Sequence, residues 1–293
     1  MKKLSQLVSN KSTILSDGAW GTNLQRKGLE IGECPEEWNI NHPDLVEEVA
    51  RDFIEAGSRL IKTNSFGASR FKLEQYGLGE RTTEINRLAG ELSRKAAGED
   101  VLVMGSIGPT GKMLITGEVS EDDLYEAFKQ QATALEEGGV DVILVETMSD
   151  LEEARLAVQA ASDNTRCEIA CTMTFEKTVD GDYKTMMGIA PAQMFPTLLD
   201  AGATFIGTNC GNGIQRMVEV VGEIRAVNTE IPVVVHANAG MPVYEEGKTI
   251  FPETPEEMAS YVPRLVEAGA NVIGGCCGTT PEHVKKIGEK LKG

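Results

Sequence analysis

Short apolar runs alternate with amphipathic stretches from one end of the chain to the other. Eight runs read as strands: Thr13–Ser16, Leu60–Thr63, Val101–Ser106, Val142–Val145, Ile169–Met173, Phe205–Thr208, Val233–His236 and Val272–Gly275. They are apolar or β-branched without clean alternation, the pattern of strands buried on both faces of a parallel sheet. Between them, apolar positions recur at helical spacing. Pro43–Ala56 carries Pro in its first turn and stops before Gly57. Ser120–Glu137 opens on acidic residues and stops at Gly138-Gly139. Further helices are expected over Asp150–Ala161, Ala192–Ala201, Ile214–Val227, Pro255–Ala268 and Pro281–Leu291. The last follows a Thr279-Thr280-Pro281-Glu282 segment that resembles a capping box.

A weak internal repeat supports this parsing. AGSRLIKTNS, GGVDVILVET, AGATFIGTNC and AGANVIGGCC each set a helix-ending Gly a few residues ahead of the second, fourth, sixth and eighth strand. About eight β-then-α units in 293 residues predict an α/β protein, a single (β/α)8 TIM barrel over residues 1–293. A doubly wound open sheet is the alternative. No Pro/Ser-rich linker divides the chain.

Composition narrows the function classes. With 28 basic and 45 acidic side chains the net charge is −17, which argues against a nucleic-acid binder and against attraction to an anionic membrane. No apolar run approaches the roughly 20 residues of a membrane span. The start, MKKLSQLVSN, turns polar after two lysines and is no secretory signal, so a cytoplasmic home is expected. The six cysteines, Cys34, Cys167, Cys171, Cys210, Cys276 and Cys277, lack the spacing of a secreted disulfide scaffold. In a reducing compartment they read as core, catalytic or metal-bound.

In such barrels the chemistry sits at the C-terminal ends of the strands. Those ends read Asp17-Gly18-Ala19, Thr63-Asn64-Ser65, Ser106-Ile107-Gly108-Pro109, Glu146-Thr147, Thr172-Met173-Thr174, Asn209-Cys210-Gly211, Asn238-Ala239-Gly240 and Cys276-Cys277-Gly278. Cys210 ends strand six and Cys276-Cys277 end strand eight, so three thiols can converge across the mouth. A soft site for Zn²⁺ with one open position fits them; a strained redox disulfide between adjacent cysteines, or plain packing, are the other readings. Packing is the better reading for Cys167 and Cys171. His42 and His283 read as surface residues. His236 ends strand seven, either near the mouth or hydrogen-bonded in the core. Gly105–Lys112 imitates a phosphate loop, but its glycine spacing is one residue too long and Met113 stands where Mg²⁺ binding needs Ser or Thr.

GTNCG at 207–211 with GGCCGTTPEH at 274–283 resembles the homocysteine S-methyltransferase family. DGAWGT at 17–22, TNSFGA at 63–68 and NAG at 238–240 extend the resemblance over nearly the whole chain. DGAWGT and TNSFGA look most like the homocysteine-binding module of cobalamin-dependent methionine synthase. The resemblance implies a (β/α)8 barrel with zinc held by Cys210, Cys276 and Cys277, and an open position for the substrate sulfur, filled beforehand by Asn238. It implies Glu146 as partner of the substrate ammonium, with Asp17 a second candidate. Backbone N–H groups around Gly18 and Ala19, or Ser106, are expected to take the carboxylate, with Thr63 and Asn64 ordering these groups. The chemistry is intelligible in itself. A free thiol, with a pKa of about 8.5, is mostly protonated at neutral pH; zinc strips that proton, and three thiolate ligands keep the sulfur electron-rich.

The sequence stops after the eighth unit and carries no D-x-H-x-x-G corrinoid motif around its histidines. The expected donor is therefore methylcobalamin carried by a separate corrinoid protein docked over the barrel mouth. Three readings compete: a small donor such as S-methylmethionine or betaine, a different thiol acceptor, and a non-catalytic zinc- or partner-binding module.

Overall fold

In the computed structural model, which describes residues 3–8, 13–245 and 248–292, eight parallel strands share one sheet. They are β1 (Ile14–Leu15), β2 (Leu60–Lys62), β3 (Leu102–Ile107), β4 (Val142–Met148), β5 (Glu168–Met173), β6 (Phe205–Gly213), β7 (Val233–Asn238) and β8 (Val272–Gly275). Each strand pairs with its neighbours in sequence, β1 pairs with β8, and a parallel bridge between Ser16 and Leu60 brings β1 back to β2. The result is the expected (β/α)8 barrel rather than an open sheet. The N-terminal stretch read for a leader lies partly outside the described residues.

Strand side chains alternate between inside and outside, so residues two apart along a strand line the barrel interior in layers. The lower layer is apolar. Leu60, Leu102, Val142, Ala170, Phe205, Val234 and Val272 cluster there with Leu4, which the N-terminal turn Leu4–Leu7 supplies. Two residues on, the same rows reach Lys62, Thr172 and His236, all buried. Four residues on they reach Ser106, Glu146, Asn209, Asn238 and Cys276. The outward side chains, such as Ile61, Val103, Ile143 and Val235, pack against the helices in one large core. A core that is oily at the base and polar at the mouth prepares one end of the barrel for chemistry.

The four repeats do what their glycines require. Gly57, Gly139, Gly202 and Gly269 follow helix ends at φ of 107°, 90°, 110° and 104°, a left-handed turn that a side chain would strain.

Several element boundaries differ from expectation. The helix expected over Pro255–Ala268 breaks at Tyr261 into Pro255–Ser260 and Val262–Glu267, because Pro263 cannot donate a backbone hydrogen bond and clashes in a helix interior. The last helix starts at Pro281, but Glu282 does not cap it: Thr280 pairs with His283 instead. His283 is accordingly buried rather than at the surface, with its Nε2 3.0 Å from the Glu253 carbonyl. His42 is exposed, as expected. Two hairpins, Glu176–Lys177 with Tyr183–Lys184 and Val243–Glu245 with Lys248–Ile250, lengthen the loops after β5 and β7.

The helix Thr82–Ala97, between β2 and β3, buries a face of mostly small and polar residues. Its Gly90 lies against the C-terminal end of the helix Glu121–Glu137, and a Cβ there would sit 2.8 Å from Gly138 Cα. Gly90→Ala is therefore expected to destabilise the fold by about 1–3 kcal/mol, because overpacking outweighs the roughly 1 kcal/mol that alanine gains in a helix. A thermal melt checks the sign. A midpoint above that of the unsubstituted protein contradicts the close crossing.

Candidate functional site

The DGAWGT and GGCCGTT segments are held against each other at the barrel mouth. Thr279 Oγ1 accepts from the Ala19 backbone N–H at 3.0 Å and donates to the Cys276 carbonyl at 2.7 Å. A Cβ at Gly275 would stand 2.2 Å from Thr279 Oγ1, and one at Gly18 would stand 2.7 Å from it. Both glycines are required by this close approach. The Cys276 N–H donates to the Ala237 carbonyl at 2.7 Å and the Ala239 N–H to the Cys277 carbonyl at 3.0 Å. The cysteine pair is thereby fixed to the end of β7.

Cys210 is positioned by strain. It lies at φ 58°, in the left-handed region, beside a pairing irregularity between Asn209 and Gly213. A non-glycine residue there costs about 1 kcal/mol or more. The turn swings its thiol towards the other two, and the three Sγ atoms lie within 4.8 Å of one another. Hydrogen bonds from Cys276 and Cys277 draw the Cys210 thiol far below its ordinary range, and the same sharing holds protons on the other two. Asn209 fixes one of the sulfurs. Its Nδ2 donates to Cys276 Sγ at 3.8 Å and to Thr147 Oγ1 at 2.7 Å, while its Oδ1 accepts from Thr172 Oγ1 and the Thr147 N–H.

The donor set suits a metal. Sulfurs sharing one tetrahedral zinc lie about 3.8 Å apart, given zinc–sulfur bonds of about 2.3 Å, which is compatible with the observed cluster. Asn238 is buried, bonds to Cys210, and leaves its Oδ1 with no partner. An orphaned buried oxygen on a side chain bonded to Cys210 is a donor atom still without a partner. No disulfide forms among the described residues. Cys34, Cys167 and Cys171 are buried; burial pushes the Cys34 and Cys167 thiols up to about 12, as inert packing residues would be.

The thiols open on a cavity of about 420 Å³, lined also by Ala19, Trp20, Lys62, Thr63, Asn64, Ser106, Glu146 and Thr147. Glu146 accepts from Ser106 Oγ through Oε1, leaving its other oxygen for the cavity. Burial pushes its carboxyl up to about 7, against the pull of the Lys62 ammonium. Thr63 and Asn64 order the wall: Thr63 Oγ1 accepts from the Ser106 N–H at 3.0 Å, and Asn64 Nδ2 donates to the Pro35 carbonyl at 2.7 Å and to Asn39 at 3.0 Å.

Three expected contacts are already occupied. Asp17 is wholly buried beneath the cavity. Its carboxylate accepts from Trp20 Nε1 at 2.8 Å and the Lys62 N–H at 2.7 Å, and pairs with Lys62 Nζ at 3.5 Å. That leaves nothing for a substrate ammonium. The Ala19 N–H is spent on Thr279 and the Ser106 N–H on Thr63, so neither is free for a carboxylate. Gly18 does not line the cavity. Lys62 was the residue not foreseen. A lysine within the strand Leu60-Ile61-Lys62-Thr63 was its signal, since a charge on an inward row needs a partner. Burial works against its ammonium, but Asp17, Glu146 and Cys276 more than offset this and hold it above its ordinary range. His236, directly below Asn238 on the inward row, is buried with neither ring nitrogen bonded, and burial keeps it neutral.

The chain is similar to known proteins over most of its length. The family model for homocysteine S-methyltransferases matches residues 14–291. The methionine synthase of Mycobacterium tuberculosis (strain ATCC 25618 / H37Rv) is 30% identical over 294 residues, covering 96% of this chain and 25% of that protein. That of Mycobacterium leprae (strain TN) is 29% identical, covering 94% and 24%. The chain thus spans about a quarter of the length of these relatives. In fold, the metallated form of the homocysteine methyltransferase MmuM from Escherichia coli is similar with a TM-score of 0.80 and 23% identity, covering 99% of each chain.

Proposed function

The chain belongs to the homocysteine S-methyltransferase family, and from that premise we propose that it methylates the sulfur of homocysteine to give methionine, using zinc held by Cys210, Cys276 and Cys277. The observation that carries this reading is the placing of three converging thiols and one free Glu146 oxygen around a single cavity. Zinc in that position supplies Lewis acidity that makes the substrate thiol a nucleophile at neutral pH. The chain's own residues do the rest. Glu146 takes the substrate ammonium on the oxygen that Ser106 leaves free, and Ser106 holds that carboxylate in one orientation. Asn209 steadies Cys276 and Thr147, and Asn238 offers its unpartnered oxygen beside Cys210. Charge on the substrate is thereby matched at one end and reactivity generated at the other.

We assign the methyl donor to methylcobalamin carried by a corrinoid protein that docks on the mouth. The loops after β1, β3, β5 and β7 expose Ile31, Ile115, Met186 and Tyr244. Exposed apolar side chains on loops that follow the strands at the mouth end suit a protein-borne donor. The described helices include none long and apolar enough to cross a membrane. We assign the reaction to the cytoplasm, where unpaired thiols stay reduced.

The test is methionine formation from homocysteine by the zinc-loaded protein, with methyl-corrinoid protein, free methylcobalamin, S-methylmethionine or betaine as donor. The corrinoid routes are expected to support turnover, and Ile115→Asp with Tyr244→Asp to slow only the protein-borne route. Faster turnover with a small donor overturns the donor assignment; no methionine from any donor overturns the function.

A further inference from the structure

Lys62 carries a positive charge at the floor of the same cavity, where its hydrogen-bond donors are only partly used. The side chain is 6% exposed, far below what a lysine accepts without partners. Its ammonium has three N–H donors. One lies 3.3 Å from the Gly275 carbonyl and one faces Asp17 Oδ1 at 3.5 Å. Both partners lie at the seam between β1 and β8, on the far side from Glu146. No third partner is found among the described residues, yet Lys62 lines the cavity. Across that cavity stands Glu146, whose Oε1 is taken by Ser106 and whose other oxygen is open. Asp17, the natural counter-ion, is itself saturated by Trp20, the Lys62 N–H and Ser16.

The cavity therefore presents a fixed cation on β2 and a fixed anion on β4, with β3 between them, and a thiol cluster at the ends of β6 and β8. The backbone N–H groups of Ala19 and Ser106, which would be the ordinary recipients of a carboxylate, are already bonded. We propose that Lys62 is the specificity-determining residue that receives the α-carboxylate of the acceptor thiol, so that the site selects a zwitterionic amino-acid thiol by charge at both ends. This rests on the proposed thiol-acceptor function and names how that site chooses its substrate. Lys62 does not touch the reacting sulfur; it sets which thiols are held.

The ion pair beneath the floor explains why lysine serves here. Asp17 and the Gly275 carbonyl already hold the ammonium in place, so little side-chain freedom is left to lose when the remaining donor is used. A charge-assisted hydrogen bond in a water-poor site is worth about ten- to a hundredfold in affinity.

The experiment compares homocysteine with 3-aminopropane-1-thiol, which has the same thiol and amine but no carboxylate, by calorimetry on the zinc-loaded protein. The wild-type protein is expected to prefer homocysteine by about ten- to a hundredfold. In Lys62→Met that ratio is expected to fall to near unity, and in Lys62→Arg to remain above it. Melting curves and zinc content of the variants are measured alongside. Lys62→Gln, whose amide can still bond Asp17 and Gly275, replaces Lys62→Met if the latter does not fold. A ratio in Lys62→Met or Lys62→Gln equal to that of wild type overturns the proposal and leaves the thiol-acceptor reading standing. Equal binding of the two thiols by the wild-type protein overturns it without any variant. Failure of the wild type to bind either thiol overturns both.

Discussion

Replacing Cys210 with alanine is expected to abolish zinc binding and lower methyl transfer to homocysteine by about a thousandfold or more, since a Lewis acid contributes several kcal/mol to such a step. The barrel itself is expected to stay folded. Cys210 is only half-buried, at the tip of β6, and the hydrophobic layers lie below it. Its backbone adds a sharper expectation. At φ 58° the position suits glycine and strains any other residue. Cys210→Gly should therefore melt at or above Cys210→Ala, although both lose the metal. Zinc analysis and thermal melts check the two halves separately. A Cys210→Ala protein that keeps one zinc per chain and full activity contradicts the assignment of this thiol.

The second large effect is expected at Glu146. Glu146→Gln keeps the side chain's size and its bond to Ser106 but removes the charge that faces the substrate ammonium. Losing one partner of a desolvated, hydrogen-bonded charge pair costs about 2–5 kcal/mol, or at least about thirtyfold in affinity for homocysteine. The effect should appear mainly in KM, because the ammonium is held equally before and during methyl transfer. A pH dependence follows. The Glu146 carboxyl, raised to about 7 by burial, is protonated below that pH and charged above it. Only the charged form pairs with an ammonium, so homocysteine affinity is expected to fall as pH drops below about 7. Deprotonation of the thiol adds a slope of its own, and Glu146→Gln keeps that slope while losing the carboxyl's share. Parallel profiles for the two proteins contradict the role of Glu146.

The barrel was legible because its strands are buried on both faces and its repeats end in glycines that only a left-handed turn explains. The thiol cluster was legible because strand ends converge in such barrels, so Cys210 and Cys276-Cys277 meet although 65 residues separate Cys210 from Cys276 in sequence. The helix Thr82–Ala97 was not legible. Its buried face carries Thr82, Asn86, Gly90 and Ser93 beside Ile85 and Ala89, so small and polar residues do the packing and the apolar stripe is faint. The substrate end of the site was read only in part. Glu146, Thr63, Asn64 and Ser106 do line the cavity. Which N–H groups are free depends on pairings such as Ala19 with Thr279, 260 positions apart, and no local pattern reveals them. Asp17 shows the same limit: an acidic residue before a glycine reads as a binding group until Lys62 and Trp20 are placed around it.

The central claim is that the three cysteines hold a metal that converts a bound amino-acid thiol into a nucleophile. Proton release on homocysteine binding tests it most directly, measured near pH 7 by calorimetry in buffers of different ionisation enthalpy. The zinc-loaded protein is expected to release about one proton more per homocysteine bound than the metal-stripped protein or Cys210→Ala, which release only the share that comes from Glu146. Homocysteine binding that is equally tight with and without zinc, or that releases no more protons from the loaded protein than from the stripped one, contradicts it.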